Sequence, residues 1–289
     1  MPAIPDDMPP GDREIVAELL ERKPPAFTEL TQTQAEAFRD GALGPGNHVL
    51  VAETGNGKTF VAEATALKAL QTGEAVAYLV PSKALVGEKR ETLAAWAGDR
   101  YVIKGGSGYA DADIIVATFE SYFEAAIRGY VDRFETVVLD DFHEIYDPRR
   151  GVVIEKAIAA ALDTGASLLA ISATIGNPHT IAQWLDAGLT ISSEPRAVPI
   201  TEYPVEQSQQ KRAVQIKHLI DANRDKGPFL VFNFSRADTE ARAESLAERT
   251  SFRVDPDIDF RAAVEDALST GLTEEHETLI ELLQNGVGD

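Results

Sequence analysis

The chain has 289 residues, 47 Asp plus Glu against 27 Lys plus Arg, a formal net charge of −20 and no cysteine. That length accommodates one α/β domain and most of a second, and the lack of cysteine excludes disulfides and cysteine-held metal. The acidic balance argues against a broad basic face for nucleic acid, so such binding would need local loops, backbone amides and a few basic side chains. Carboxylates at this density fit a salt-loving organism, where a Debye length of about 3 Å at 1 M mutes their repulsion. They also fit an acidic protein of ordinary salt.

Met1-Pro2-Ala3-Ile4-Pro5-Asp6-Asp7 carries neither a basic segment nor an apolar stretch, and no run approaches the roughly 18 apolar residues of a spanning helix. A soluble, cytoplasmic chain with no membrane partner is expected. Residues 1–26, proline-rich at their start, read as an N-terminal extension. From Leu30 to Leu185 short apolar strands alternate with amphipathic helices. Strands are predicted at 49–52, 75–80, 101–104, 113–117, 136–140 and 167–172, and helices at 34–40, 59–71, 85–97, 119–129 and 153–163. Many of the helices are followed by a glycine cap. This alternation predicts a mainly parallel sheet covered on both faces, with ligands at its carboxyl edge.

After Trp184 the pattern loosens through Ser192-Ser193-Glu194-Pro195-Arg196, and a linker is expected to end near residue 205. A second α/β unit then reads as helix 210–224, strand 229–234, helix 237–249, a polar stretch and helix 274–283. Residues 201–289 are too few to complete a sheet of the first domain's size. The second domain therefore looks cut off, which predicts exposed apolar surface on Leu279, Ile280, Leu282 and Leu283.

Three segments carry chemistry. Ala52-Glu53-Thr54-Gly55-Asn56-Gly57-Lys58-Thr59 lies between an apolar strand and a helix. Two glycines let successive backbone N–H groups curl around phosphate oxygens while the helix directs its positive end at the same anion. Lys58 then reaches the β- and γ-phosphates and Thr59 holds Mg²⁺. The general pattern has glycine where this chain has Ala52. Farther on, the strand 136–140 ends in Asp140-Asp141-Phe142-His143. A nucleotide hydrolase needs one carboxylate for the Mg²⁺ shell, assigned to Asp140, and another for the attacking water, assigned to Asp141. Ser172-Ala173-Thr174 closes the next strand. By itself it is an ordinary turn, although its hydroxyls could hydrogen-bond the acidic motif beside it.

Together, in this order and spacing, these segments resemble the first motor lobe of the superfamily 2 DExH-box helicases. Leu30-Thr31-Gln32-Thr33-Gln34 is similar to that family's glutamine motif, Tyr78-Leu79-Val80-Pro81-Ser82-Lys83-Ala84-Leu85 to motif Ia, and Val116-Ala117-Thr118-Phe119-Glu120 to motif Ib. Arg149-Arg150-Gly151 and the phrase from Ser172 to Pro178 with Trp184-Leu185 most resemble the archaeal repair helicases of stalled replication forks. Phe229 to Arg236 resembles motif IV, which opens the second lobe.

The resemblance implies a RecA-like P-loop NTPase domain over residues 27–200 and an incomplete second RecA-like domain over 201–289. It implies ATP and Mg²⁺ as ligands and single-stranded or forked nucleic acid as partner, DNA before RNA. Oligomeric state is left open. Gln34 would recognise adenine, with Thr54, Gly55, Asn56, Gly57, Lys58 and Thr59 around the phosphates and Lys58, Asp140, Asp141 and His143 in catalysis. His143 would couple to Ser172 and Thr174, while Pro81, Lys83, Thr118 and Arg236 would lie along the strand.

Two departures matter. The family's second acid is glutamate, whereas Asp141 is one methylene shorter, which predicts slower turnover and a gain from Asp141→Glu. Motifs V and VI, with an arginine finger that can be worth ~10³–10⁵ in rate, would lie beyond Asp289. The chain is expected to bind ATP better than it hydrolyses it. The main alternative is a nucleotide- and nucleic-acid-binding module without unwinding, which nucleotide binding without turnover would favour. An unrelated P-loop kinase or GTPase would leave the glutamine motif, motif Ia and Ser172-Ala173-Thr174 without a role.

Overall fold

The apolar runs of the central strands are buried between two layers of helices. In the computed structural model the described residues are 4–23, 29–106, 108–173, 175–196, 200–202, 212–223, 229–233, 235–248, 258–267 and 272–287. The chain divides into two units, Met1–Thr201 and Glu202–Asp289.

The first unit runs α1 (Pro10–Arg22), α2 (Gln32–Arg39), β1 (Asn47–Val51), α3 (Lys58–Thr72), β2 (Ala75–Val80), α4 (Lys83–Ala97) and β3 (Ile103–Gly105). It continues with β4 (Ile114–Thr118), α5 (Phe119–Ile127), β5 (Phe134–Leu139), α6 (Gly151–Asp163), β6 (Ser167–Ser172), α7 (Pro178–Trp184) and β7 (Ala187–Ile191). The seven strands make one sheet in the order β3-β4-β2-β5-β6-β1-β7, and every pairing is parallel. This is a RecA-like α/β fold.

Alternation along the strands divides the core in two. Leu50, Val76, Tyr78, Val80, Val116 and Ile171 face a core shared with α1 to α4. Val49, Ala77, Leu79, Ala117, Val137 and Leu139 face the other, shared with α5, α6 and α7. Parallel pairing brings all strand ends to one edge. Along it the chain presents Gly106 after β3, Thr118 at the end of β4, Pro81 after β2, Asp140 after β5, Ser172 at the end of β6, Ala52 after β1 and Ser192 after β7.

The structure corrects several expectations. Residues 10–22, read as extension, form α1, which buries Ile15, Val16 and Leu19 in the first core. Pro10 suits this start because the first-turn N–H of a helix has no partner to lose. The region after Trp184 contains an edge strand, β7, in register with β1 from Asn47↔Ala187 to Val51↔Ile191. The strand expected at 101–104 begins at Ile103, since Val102 N–H donates to the Asp113 side chain at 2.8 Å.

In the second unit α8 (Arg212–Ala222), α9 (Arg236–Ala247), α10 (Phe260–Ala267) and α11 (Glu274–Gln284) are helical. The strand expected at 229–234 is not formed over 229–233, and Phe234 lies outside the described residues. A strand needs a neighbour for its N–H and C=O groups, and the other described elements of this unit are helices. Apolar exposure also falls elsewhere than expected. Ile280 and Leu282 are buried, Leu282 packing with Ala243 and Val287, whereas Leu230 and Phe232 are 79% and 86% exposed. No described helix is long and apolar enough to cross a membrane.

Candidate functional site

The phosphate loop leaves β1 at Ala52, whose N–H donates to the Ser172 carbonyl at 3.2 Å. Gly55 and Gly57 take left-handed φ values of 91° and 80°, which side-chain-bearing residues rarely adopt. Gly57 also lies so close to the Gln34 amide that a Cβ would collide with Nε2. Thr54 and Gly55 are exposed at the tip, whereas Asn56 is buried. Its Nδ2 donates to the Glu194 carbonyl at 2.7 Å and its own carbonyl accepts from Thr31 Oγ1 at 3.0 Å. Lys58 and Thr59 open α3. The Lys58 ammonium donates to the carbonyls of Ala52 (2.8 Å) and Glu53 (2.9 Å). Burial pushes it below the ordinary lysine range, and the carboxylates of Asp141, Asp140 and Glu53 push it back up. The acids and the loop lysine therefore share one electrostatic site.

Gln34 stands in a capping box at the start of α2. Its Oε1 accepts from Thr31 N–H at 2.9 Å, Thr31 Oγ1 accepts from Gln34 N–H at 3.2 Å, and its Nε2 donates to the Gly57 carbonyl at 3.1 Å. Glu194 braces the same helix. Its carboxylate accepts from Thr33 N–H and Thr33 Oγ1, both at 2.8 Å, and from Gln32 N–H at 3.3 Å. The negative charge suits the positive end of α2.

Asp140 is mostly buried. Its Oδ2 accepts from the Tyr78 hydroxyl at 2.9 Å and meets Lys89 Nζ at 2.9 Å, while Lys89 also lies 5.0 Å from the centre of the Tyr78 ring. Burial, followed by the Asp140 charge, drives the Tyr78 hydroxyl well above its usual range and keeps it a donor. Asp141 adopts φ 51°, ψ 42°, a conformation that aspartate tolerates better than most residues. That turn sets its half-exposed carboxylate 3.9 Å from His143 Nδ1. Ser172 is fully buried, and among the described residues neither its hydroxyl nor His143 Nδ1 has a hydrogen-bond partner. Thr174 lies outside the described residues.

At the other end of the strand edge, Lys83, Val86, Gly87, Arg90, Gly105, Gly106, Thr118 and Ser121 line a groove of about 410 Å³. Lys83 is exposed, but Pro81 and Thr118 are both buried. Thr118 Oγ1 caps α5 by accepting from Ser121 N–H at 3.2 Å, and Ser121 Oγ donates to the Gly106 carbonyl at 3.1 Å. Arg236 opens α9 in the second unit.

Reading the sequence missed Lys89, Arg90 and Glu194 altogether and gave Tyr78 and Arg150 no role. Lys89 and Arg90 look like ordinary helix-surface cations. Arg150 stood in a phrase worth noting, but only the folded chain shows what it touches.

Residues 31–181, more than half of the chain, match the family model for the DEAD/DEAH box helicase. The chain is 31% identical over 290 aligned residues to the ATP-dependent DNA helicase Hel308 of Methanocella arvoryzae, covering 90% of this chain and 39% of that protein. It is 36% identical over 195 residues to the Hel308 of Thermococcus kodakarensis, covering 63% and 17% respectively. Against the Hel308 of Pyrobaculum calidifontis it is 30% identical over 266 residues, covering 83% and 36%. The chain thus spans well under half the length of these curated relatives.

Proposed function

The chain belongs to the DEAD/DEAH box helicase family, and from that premise we propose that it is the ATP-binding motor portion of a DNA helicase of the archaeal repair type, acting on single-stranded or forked DNA. The observation that supports this reading is that the glycine loop with Lys58 follows β1 and Asp140 and Asp141 follow β5 at the same carboxyl edge of a parallel sheet.

Lys58 exchanges its two carbonyl bonds for phosphate oxygens, and the loop N–H groups before α3 take the remaining charge. Gln34 retains an amide hydrogen and a carbonyl lone pair beyond these bonds, the complement an adenine edge requires. Mg²⁺, when bound, neutralises charge on the transferred phosphoryl group. The residues fit that ion. Asp140 has a second carboxylate oxygen and Thr59 a hydroxyl without partners among the described residues. No described cluster of three or more acids and histidines forms a complete metal cage, as suits an ion taken up with substrate phosphates. Asp141 accepts the proton of the attacking water, and the nearby His143 ring orients that carboxylate. The groove holding Lys83 and Arg90 takes the phosphate backbone of a single strand, reading charge rather than sequence.

The test is titration of a fluorescent ATP analogue with Mg²⁺, together with anisotropy of a labelled oligothymidylate. We expect saturable binding of both. Lys58→Ala removes charge-assisted bonds worth about 1.5–3 kcal/mol each and weakens nucleotide binding roughly 10- to 100-fold or more. Nucleotide binding indifferent to Lys58→Ala would sink the reading.

A further inference from the structure

Asp140 and Pro81 follow the adjoining strands β5 and β2, which pair in parallel. Lys89 of α4 reaches Asp140, and a second polar side chain bridges the segments that follow the two strands. The Arg150 guanidinium donates to the Glu120 carboxylate from Nε at 3.0 Å, to Glu144 from Nη1 at 2.8 Å, and to the Pro81 carbonyl from Nη2. Nη2 also lies 2.9 Å from Glu120 Oε1. Each acceptor belongs to a different part of the edge. Pro81 precedes α4 and the Lys83 side of the groove, Glu120 sits in the first turn of α5 beside Thr118, and Glu144 is in the 3₁₀ turn Phe142–Tyr146 that contains His143.

The local sequence holds this arginine in place. Asp147 Oδ1 accepts from the N–H groups of Arg149 (2.8 Å) and Arg150 (2.9 Å). Gly151 N–H donates to the Asp147 carbonyl at 2.8 Å, and a Cβ at Gly151 would run into the Ile145 carbonyl. The run Asp147-Pro148-Arg149-Arg150-Gly151 is thus a tight corner whose product is one oriented guanidinium. A planar fork with five donors satisfies three acceptors in fixed directions, which an ammonium on a flexible stem cannot do.

We propose that Arg150 is a positioning residue that couples the nucleotide end of the site to the nucleic-acid groove, by tying the turn after Asp140, Asp141 and His143 to the loops of Pro81 and Glu120. This rests on the helicase reading above. Arg150 touches neither ligand. A shift of the 3₁₀ turn upon nucleotide binding is passed through the fork to two groove loops at once.

The experiment measures the dissociation constant of a labelled oligothymidylate with and without saturating Mg-ATP, on the whole chain, and takes their ratio. Couplings of this kind are typically about fivefold or more, and we expect that of the unaltered chain. Arg150→Lys keeps the charge but loses the fork, and should bring the ratio to within about twofold of one. Glu144→Gln and Glu120→Gln should lower it in the same direction, non-additively with Arg150→Lys. They serve the test equally if Arg150→Lys fails to fold. Ile154→Val trims the buried face of the same helix, so it should lower the melting temperature while keeping the ratio. Coupling retained in Arg150→Lys overturns the proposal. So does coupling lost equally in Ile154→Val, or a ratio of one in the unaltered chain that binds both ligands. Failure to bind either ligand at all defeats the helicase reading itself, a separate result.

Discussion

The two ends of the sheet's carboxyl edge are built on opposite plans. At the β1 end the backbone does the holding and side chains turn inward to brace it. Gln34 is clasped to Gly57, Asn56 to Glu194, and Glu194 to the start of α2. At the β3 end the backbone lines an open groove and two cations, Lys83 and Arg90, look into solvent. A site that must recognise a compact, highly charged phosphate chain benefits from preset N–H directions. A site that must let a polymer pass benefits from point charges that do not fix register. The chain has a net charge of −20, and it confines its useful positive charge to these few places.

The contrast can be broken at defined points. Lys89→Met leaves Asp140 with the Tyr78 hydroxyl alone. Breaking a buried pair costs up to about 3 kcal/mol where water still reaches both groups, so a melting temperature roughly 5–10 °C lower is expected by calorimetry. Nucleotide binding should weaken with it, and oligonucleotide binding should not. The double variant Lys83→Ala, Arg90→Ala should do the reverse. Its oligonucleotide affinity, plotted against salt on logarithmic axes, should lose a slope of about 2, roughly one per cation, with ATP affinity unaltered. An unchanged slope would remove the groove from the binding path. Glu194→Gln keeps the shape but not the charge at the α2 N-terminus. A loss of about 0.5–1 kcal/mol there should weaken nucleotide affinity some two- to fivefold.

The smallest effect tests the opposite, amino-terminal end of β1. His48 is buried with Nε2 3.0 Å from Thr190 Oγ1, and that hydroxyl donates to Asp40 at 2.8 Å. Burial holds its pKa below the ordinary histidine value, partly offset by Asp40. The unfolded chain therefore takes up a proton near pH 6.5 while the folded chain stays neutral. Stability should fall as pH drops below that value and level off only once the folded ring also protonates. His48→Gln should flatten this part of the melting-temperature profile, and an unaltered profile would assign the slope to other groups.

Much of the nucleotide end was legible in the sequence because backbone chemistry leaves a local signature. Gly55, Gly57 and Lys58 stand within four residues of one another, and their flanking strand and helix follow from periodicity. The brace around them was not legible. Tyr78 and Asp140 lie 62 residues apart, and Glu194 reaches Thr33 across 161. Such pairs arise from strand order, which no local pattern encodes. The same limit explains β7, whose short, half-exposed run reads as linker until β1 pairs with it. It also explains residues 229–233, whose β-forming side chains have no neighbouring strand among the described residues. Pro81 and Thr118 show a burial that no local pattern announces. The resemblance marks them, with Lys83, as strand contacts; both are buried, and the exposed cations beside them are Lys83 and Arg90.

The partnership of Asp140 with Lys89 has a bearing on the medium in which the protein works. Lys89 and Asp140 are only 14% and 13% exposed. Mobile ions screen surface charges within about 3 Å at 1 M salt but act much less on a sheltered pair. Asp140 thus has its counter-ion in the same chain. Its aim is insulated from swings in ionic strength that would reshuffle every carboxylate on the outer surface.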